Sequence, residues 1–329
     1  MQPGVSVVIP AMDAAATLAD TLRSVLSQPQ LEEVIVVVQP SSDQTLSVAQ
    51  STGDPRVTAI ADDGRGIARA MNIGIARARG RWFAKIDADD LLPEGRFAWQ
   101  VAALEEGGET TAAVCGRHGE IDERGRPIVE FEVMDSTAEV TDHYRAGKPC
   151  THLGTFLCRL SAVRAIGGFR PWFTTAEDLD FACRLAEVGK ITFLPRLAYL
   201  YRLSERSITH QQRAAERRFF NDQARRFARQ RQAGGEDDLA AGKPPALPAP
   251  GDGPADGDGA STGRLSVRTQ AAGHAESHAW ERLRRGEHGA ALRYMLRSLR
   301  IEPRPRRAVA LLKMALQIVT SGGRRRGAG

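Results

Sequence analysis

The sequence predicts an α/β fold: a Rossmann-like, mainly parallel central sheet flanked by helices, followed by a linker and a small C-terminal helical module. Three observations predict it. Short apolar runs rich in β-branched residues, at residues 5–10 and 34–38, read as strands buried on both faces. Segments with apolar residues at helical spacing alternate with such runs, the order expected of a parallel layer. The stretch from Arg81 to Asp90 begins as a strand and ends in Asp87, Asp89 and Asp90, and ligands of open α/β sheets bind beyond the carboxyl ends of strands.

The elements follow in order. Residues 5–10 form a strand stopped by Pro10. Residues 17–28 carry Leu18, Leu22, Val25 and Leu26 at helical spacing. The second strand, 34–38, runs into a turn-rich loop from Gln39 to Thr45, with a helix to Gln50. Residues 57–60 make a short third strand. Residues 66–79 form a small-residue helix with Ile67, Ala70, Met71, Gly74, Ile75 and Ala78 on one face. Trp82, Phe83, Ala84 and Ile86 then build the acid-tipped strand. A helix is expected over 95–105 and a strand over 112–116, while 117–150 is polar, Gly-rich and unassigned. Residues 155–158 read as a strand and 161–166 as a helix closed by Gly167 and Gly168. Residues 177–188 form a helix with Glu177, Asp178 and Asp180 in its first turn, and 191–194 and 198–201 complete the layer as short strands.

Beyond 1–212, residues 213–232 carry a basic amphipathic helix pattern. Residues 233–263, rich in Pro, Gly and Asp, read as a flexible linker. Residues 264–329 return as a basic helical module with an apolar stripe of Ala279, Leu283, Ala290, Ala291, Met295 and Leu299, broken at Gly286 and at Pro303 and Pro305. One such unit resembles a tetratricopeptide-type repeat, but no second copy follows.

The formal charge of +5 is unevenly spread: residues 264–329 carry 15 Lys/Arg against 4 Asp/Glu, whereas 1–232 carry 29 against 30. The basic balance therefore belongs to the tail. With no recognition fold to carry it, a nucleic-acid partner is excluded. The last apolar helix, from Ala308 to Val319, is flanked by Arg304, Arg306, Arg307 and Arg324 to Arg326. It reads as a packed module or as an interfacial helix on an anionic membrane surface. The four cysteines show no CxxC or metal spacing and read as reduced thiols. No basic leader precedes the first strand and no apolar run approaches the ~20 residues of a membrane span. The expected location is cytoplasmic, with peripheral contact at the inner membrane face.

Clustered carboxylates repel one another unless a cation or a donor-rich ligand lies between them. Carboxylate oxygens suit Mg²⁺ or Mn²⁺, and Mg²⁺ is usually held by one or two carboxylates plus substrate phosphates. The bland alternative is a polar turn that caps the following helix. Glu177 and Asp178 have the same bland reading, an acidic helix start.

Four ordered motifs carry a family resemblance. They are residues 5–10 followed by a helix ending in Ser24 to Gln28; the loop from Ser41 to Thr45; residues 66–75 leading into Gly80 and Asp87-Ala88-Asp89-Asp90; and Gly167-Gly168-Phe169, followed by Glu177-Asp178 and Tyr201-Arg202. Residues 1–210 thereby resemble glycosyltransferase family 2, inverting enzymes with the GT-A fold. The resemblance implies transfer of a sugar from a nucleotide-sugar donor to a saccharide or lipid-linked acceptor, assisted by Mg²⁺ or Mn²⁺, as in cell-surface polysaccharide or glycolipid synthesis. Carried over position by position, it puts Pro10, Ala11 and the second loop beside the nucleotide base. Asp63, Gly66 and Asn72 fall on the nucleotide side. Asp87 and Asp89 fall at ribose and metal, with Asp89 the direct ligand. Asp178 becomes the general base with Glu177 beside it, and His152 lies toward the acceptor.

The chain departs from the family pattern at Val38-Gln39, where a carboxylate is usual. Gln39 can replace it, because an amide both donates and accepts. Met12-Asp13 stand where an aromatic residue and Asn often follow the first proline, and the nearest counterpart to the family's later histidine is His210. Lys85 shares a strand face with Asp87, so it pairs with Asp87 or meets a phosphate. A sugar-1-phosphate nucleotidyltransferase would need a Gly-rich basic loop after the first strand, which residues 11–16 lack. A catalytically inactive nucleotide- or glycan-binding or scaffold protein of the same fold is the alternative that the Val38-Gln39 change motivates.

Overall fold

A computed structural model describes residues 4–204, 214–247 and 266–324. His210 lies outside them. The first four strands are β1 (Val5–Ala11), β2 (Leu31–Val38), β3 (Val57–Ala61) and β4 (Trp82–Lys85). All are parallel, with β1 between β2 and β4 and β3 outside β2. Helices α1 (Leu18–Leu26), α2 (Thr45–Gln50) and α3 (Ile67–Arg77) supply the crossovers. Val5, Val7, Val8, Val34, Val36 and Trp82 are fully buried, as strands covered on both faces require.

After α4 (Arg96–Glu106) the sheet changes character. Strand β5 (Thr111–Ile121) pairs antiparallel with β8 (Leu157–Arg159), which pairs antiparallel with β4. The polar stretch left unassigned by the sequence holds the end of β5, β6 (Pro127–Phe131), β7 (Ala138–Glu139) and α5 (Thr141–Arg145). The two short strands expected after residue 190 are one strand, β9 (Lys190–Arg202), which stays extended through Pro195. The sheet order is β3-β2-β1-β4-β8-β5-β9-β7, with β6 paired to β5. Helices α6 (Leu160–Ala165) and α7 (Glu177–Val188) follow β8.

By compactness the described chain forms two units. One unit takes residues 1–118, 131–201 and 212–257; the other takes 119–130, 202–211 and 258–329. In the first, helix α8 (Ala214–Gln232) buries the apolar face of the expected amphipathic helix: Phe220, Ala224, Phe227 and Ala228 pack against Phe173, Leu179 and Cys183. The stretch expected to start the linker is also held. Asp237 is 1 % exposed and pairs with Arg170 at 2.8 Å and with Arg231. Ionic pairing, which composition does not reveal, anchors a segment with little apolar surface of its own.

The second unit holds α9 (Val267–Arg284), α10 (His288–Ile301) and α11 (Pro305–Arg324). Ala279, Leu283, Ala291, Met295 and Met314 form its core. Arg307, almost fully buried, bridges Glu276 and Glu302 at 2.5 and 2.7 Å. Among the described residues no helix is long and apolar enough to cross a membrane. All four cysteines are free thiols.

Candidate active site

The parallel register brings the carboxyl ends of β1, β2 and β4 together. Ala11 lies beside Val38, and the Ile86 N–H donates to the Val8 carbonyl at 3.1 Å. The loops beyond β1 and β2 are laced together. Asp13, with φ of 49°, accepts from the Ser42 N–H at 2.6 Å and from its hydroxyl at 2.9 Å. Thr45 Oγ1 accepts from the Ala14 N–H at 2.8 Å, and Asp43 from the Ala15 N–H at 2.9 Å. The Met12-Asp13 departure therefore supplies a staple between the two loops, beside half-buried Pro10 and buried Ala11.

The residues expected on the nucleotide side divide. Gln39 is buried, and its amide nitrogen donates to the Gly66 carbonyl at 3.0 Å and the Gly64 carbonyl at 3.4 Å, tying the loop before α3 to the end of β2. Gly66 has φ of 109°, a left-handed backbone that favours glycine. The Asp63 side chain is fully exposed, whereas that of Asp62 is 4 % exposed and grips Arg69 at 2.8 Å. Asn72 is hydrogen-bonded within the chain: its nitrogen donates to the Phe169 carbonyl and its oxygen accepts from the Phe169 N–H, both at 2.8 Å. It clamps α3 to the Gly167-Gly168 turn, where Gly168 has φ of 69° and a Cβ would stand 2.4 Å from the Asn72 oxygen.

The three aspartates occupy a turn directly after β4. Thr17, the residue before α1, and Thr21 within it hold the turn by donating to the Ala88 carbonyl, each at 3.0 Å. Lys85, buried, meets Asp87 at 2.5 Å. The Asp87 N–H donates to the Tyr199 hydroxyl at 3.1 Å, and that hydroxyl faces Asp87 Oδ2 at 3.4 Å. Burial opposes charge on Asp87, but Lys85 and then His152 outweigh it and hold the carboxyl below its ordinary range. Burial likewise opposes the Lys85 charge; Asp87, Glu177 and Asp178 override it and raise the ammonium. Asp89 is half-buried and Asp90 fully buried.

Glu177 and Asp178 open α7 after Ala176, whose φ of 58° is strained for a residue with a Cβ. The turn buries Glu177 to 8 % exposure and leaves Asp178 half-buried, with Oδ1 accepting from the Leu179 N–H at 2.7 Å. Burial first, and then the Asp178 charge, push the Glu177 carboxyl up to about 7. His152 caps a short 3₁₀ turn over Leu153–Thr155, its Nδ1 accepting from the Gly154 N–H at 3.1 Å. Burial and the Lys85 ammonium lower its imidazole, against the pull of Asp87 and Asp178.

Lys85, Asp87, His152, Glu177 and Asp178 thus share one electrostatic cluster, drawn from strand, loop and helix. His152 and Asp178 line a cavity of about 360 Å³ with His118, Tyr144, Cys150 and Asn221. His118 stacks on Phe131 at 4.6 Å, and His152 lies 5.3 Å from Tyr199 and 5.8 Å from Tyr201. Tyr199 was not singled out by sequence; its signal is the alternation that puts Tyr199 and Tyr201 on one strand face. Asn221, on a helix 43 positions beyond Asp178, has no sequence signal.

Asp89 and Asp87 would offer carboxylate oxygens to a divalent cation, although Lys85 already pairs with Asp87 at 2.5 Å. Among the described residues no group of three or more His, Cys, Asp or Glu is placed to hold an ion. A two-carboxylate set fits Mg²⁺ or Mn²⁺ only as an ion completed by phosphate oxygens, the usual way Mg²⁺ is held beside nucleotides.

The description "Glycosyl transferase family 2" matches residues 6–167. The succinoglycan biosynthesis protein ExoO of Rhizobium meliloti is 37 % identical over 112 residues, 33 % of this chain and 32 % of that protein. The inferred glycosyltransferase EpsE of Bacillus subtilis is 30 % identical over 200 residues, 57 % of this chain and 68 % of that protein. The chain therefore spans about a third of ExoO and two thirds of EpsE. The crystal structure of S. aureus TarS 1-349 in complex with UDP-GlcNAc superposes with a TM-score of 0.55 at 18 % identity, covering 71 % of this chain and 73 % of that one, a likeness of fold.

Proposed function

The chain belongs to glycosyl transferase family 2, and on that premise we propose that it moves a sugar, with inversion, from a nucleoside diphosphate donor to a hydroxyl of a saccharide or lipid-linked acceptor in polysaccharide or glycolipid assembly. The observation that carries the reading is the convergence of Lys85, Asp87, His152, Glu177 and Asp178 in one cluster, with Asp178 lining the cavity beside it.

The chemistry follows from charge. A sugar hydroxyl is a poor nucleophile, so a carboxylate takes its proton as it attacks. Asp178 is the carboxylate that reaches the cavity. The hydroxyl oxygen forms a bond to the anomeric carbon while the bond to the diphosphate oxygen breaks, and the electron pair leaves with the diphosphate. Attack opposite the leaving group inverts the anomeric configuration. Glu177 keeps its proton below about pH 7, so negative charge does not accumulate beside the base. Lys85 fixes Asp87 toward the ribose. Asp89, with Asp87 at its edge, would hold Mg²⁺ or Mn²⁺, which supplies charge neutralisation for the departing diphosphate.

The test is turnover with UDP-, GDP- and dTDP-sugars and a panel of saccharide acceptors, with the product's anomeric configuration read by NMR. Asp178→Asn is expected to lower transfer by roughly 10²- to 10⁴-fold while donor binding persists. Near-normal turnover in that variant, or retention of configuration, defeats the assignment. A second reading, a nucleotide- or glycan-binding protein without turnover, draws on Gln39, whose amide nitrogen is spent on the Gly64 and Gly66 carbonyls. Measurable transfer with any donor ends it.

A further inference from the structure

Helix α11 presents two different faces. Met314 is buried, Leu311 and Ile318 pack partly against it, and Arg307 is ion-paired beneath. These residues, at spacings of three and four, make one side. On the opposite side Val309, Leu312 and Leu316 recur at the same spacings and are 48, 70 and 66 % exposed. Leu296 on neighbouring α10 is 40 % exposed. Val309, Leu312 and Leu316 are three of the eight large apolar residues exposed among the described residues and share one face of one helix, so they are a stripe and not scatter.

Charge borders the patch. Arg306 precedes Val309 by three positions and Lys313 follows it by four, which puts both cations along the edge of the apolar stripe. Arg293 and Arg300 on α10 are exposed as well. Arg293, Arg300, Arg306 and Lys313 have no acidic partner within ion-pair distance among the described residues, in contrast to Arg304 and Arg307, which pair with Glu302. An amphipathic helix with an exposed apolar stripe and an unneutralised cationic margin matches a surface that is apolar below and anionic above. A second protein copy would bring the same positive charge to the contact and repel.

We infer that the outer face of α11 docks on an anionic phospholipid bilayer, with Leu312 and Leu316 entering the acyl boundary and Arg306 and Lys313 meeting lipid phosphates. The helix lies in the interface and does not span it, in keeping with its packed inner side. This inference is independent of the transfer chemistry, because its readout is binding.

The test is co-sedimentation of the full chain with phosphatidylglycerol/phosphatidylcholine vesicles and with pure phosphatidylcholine vesicles, at low and at 0.5 M salt. Binding is expected on the anionic vesicles alone, weakened by salt. Leu312→Gln/Leu316→Gln should weaken it about tenfold or more, and Arg306→Gln/Lys313→Gln roughly fivefold for each cation removed. Neither double variant should alter the unfolding curve, since these side chains lie off the packed face. The wild-type comparison of lipids stands even if a variant misfolds. Equal binding to both vesicle types, no binding to either, or a wild-type dimer that falls apart in the leucine variant would each overturn the inference.

Discussion

Replacing Glu177 by Gln separates the charge of the acidic pair from its shape. In the folded chain Glu177 is 8 % exposed, and burial, then Asp178, push its carboxyl from 4.5 up to about 7. A raised carboxyl binds its proton more tightly folded than unfolded. The stability this confers is complete below pH 4.5 and is lost as pH rises through 7. At about 1.4 kcal/mol per pH unit, the gap corresponds to a loss on the order of 3 kcal/mol between pH 4.5 and pH 8. Glutamine fits the same volume and never ionises. It gives up a favourable charge at a helix start worth roughly 0.3–1 kcal/mol, so a net gain of about 2–3 kcal/mol is expected at pH 8 and none at pH 4.5. Urea unfolding without added divalent ions, followed by tryptophan fluorescence (Trp82, Trp99, Trp172 and Trp280), measures the difference at each pH. Curves for wild type and Glu177→Gln that run parallel from pH 4.5 to 8 would refute the burial argument.

Two further substitutions test the framework that holds this pair. Asn72→Ala removes both hydrogen bonds to Phe169 and should cost about 1–3 kcal/mol of stability with nucleotide affinity unchanged; unchanged stability with weakened nucleotide binding would return Asn72 to the nucleotide side. Asp180 is fully buried between Arg170 and Arg184. Asp180→Asn strips both guanidiniums of their shared carboxylate and should cost roughly 3–5 kcal/mol in denaturant midpoints, and a loss below about 1 kcal/mol would show that the network is dispensable.

Much of this was legible in the residues. β1, β2 and β4 announce themselves as apolar runs, because a strand buried on both faces has no room for polar alternation. The acids at the end of β4 and the start of α7 were legible because each sits where an element boundary must fall. Position within a loop was harder. Asp62 and Asp63 are neighbours and both reach Arg69, yet the Asp62 side chain is buried and grips it at 2.8 Å while that of Asp63 stays fully exposed at 3.4 Å, a difference set by the path of the backbone. Asn72 carries a family motif but serves Phe169, 97 positions on. Tyr199 reaches Asp87 across 112 positions. Such pairings follow from tertiary approach, which local periodicity does not encode. The same holds for Asp237, whose partners Arg170 and Arg231 turn an apolar-poor segment into part of the first unit.

The central claim is that the carboxyl ends of β1, β2 and β4 form a seat for a nucleoside diphosphate. Calorimetric titration with UDP, GDP and dTDP, with and without Mn²⁺, tests it most directly. One of the three is predicted to bind, more tightly with Mn²⁺, and Asp89→Asn to abolish the metal's contribution. Absence of binding by all three, or binding indifferent both to Mn²⁺ and to Asp89→Asn, would contradict the account.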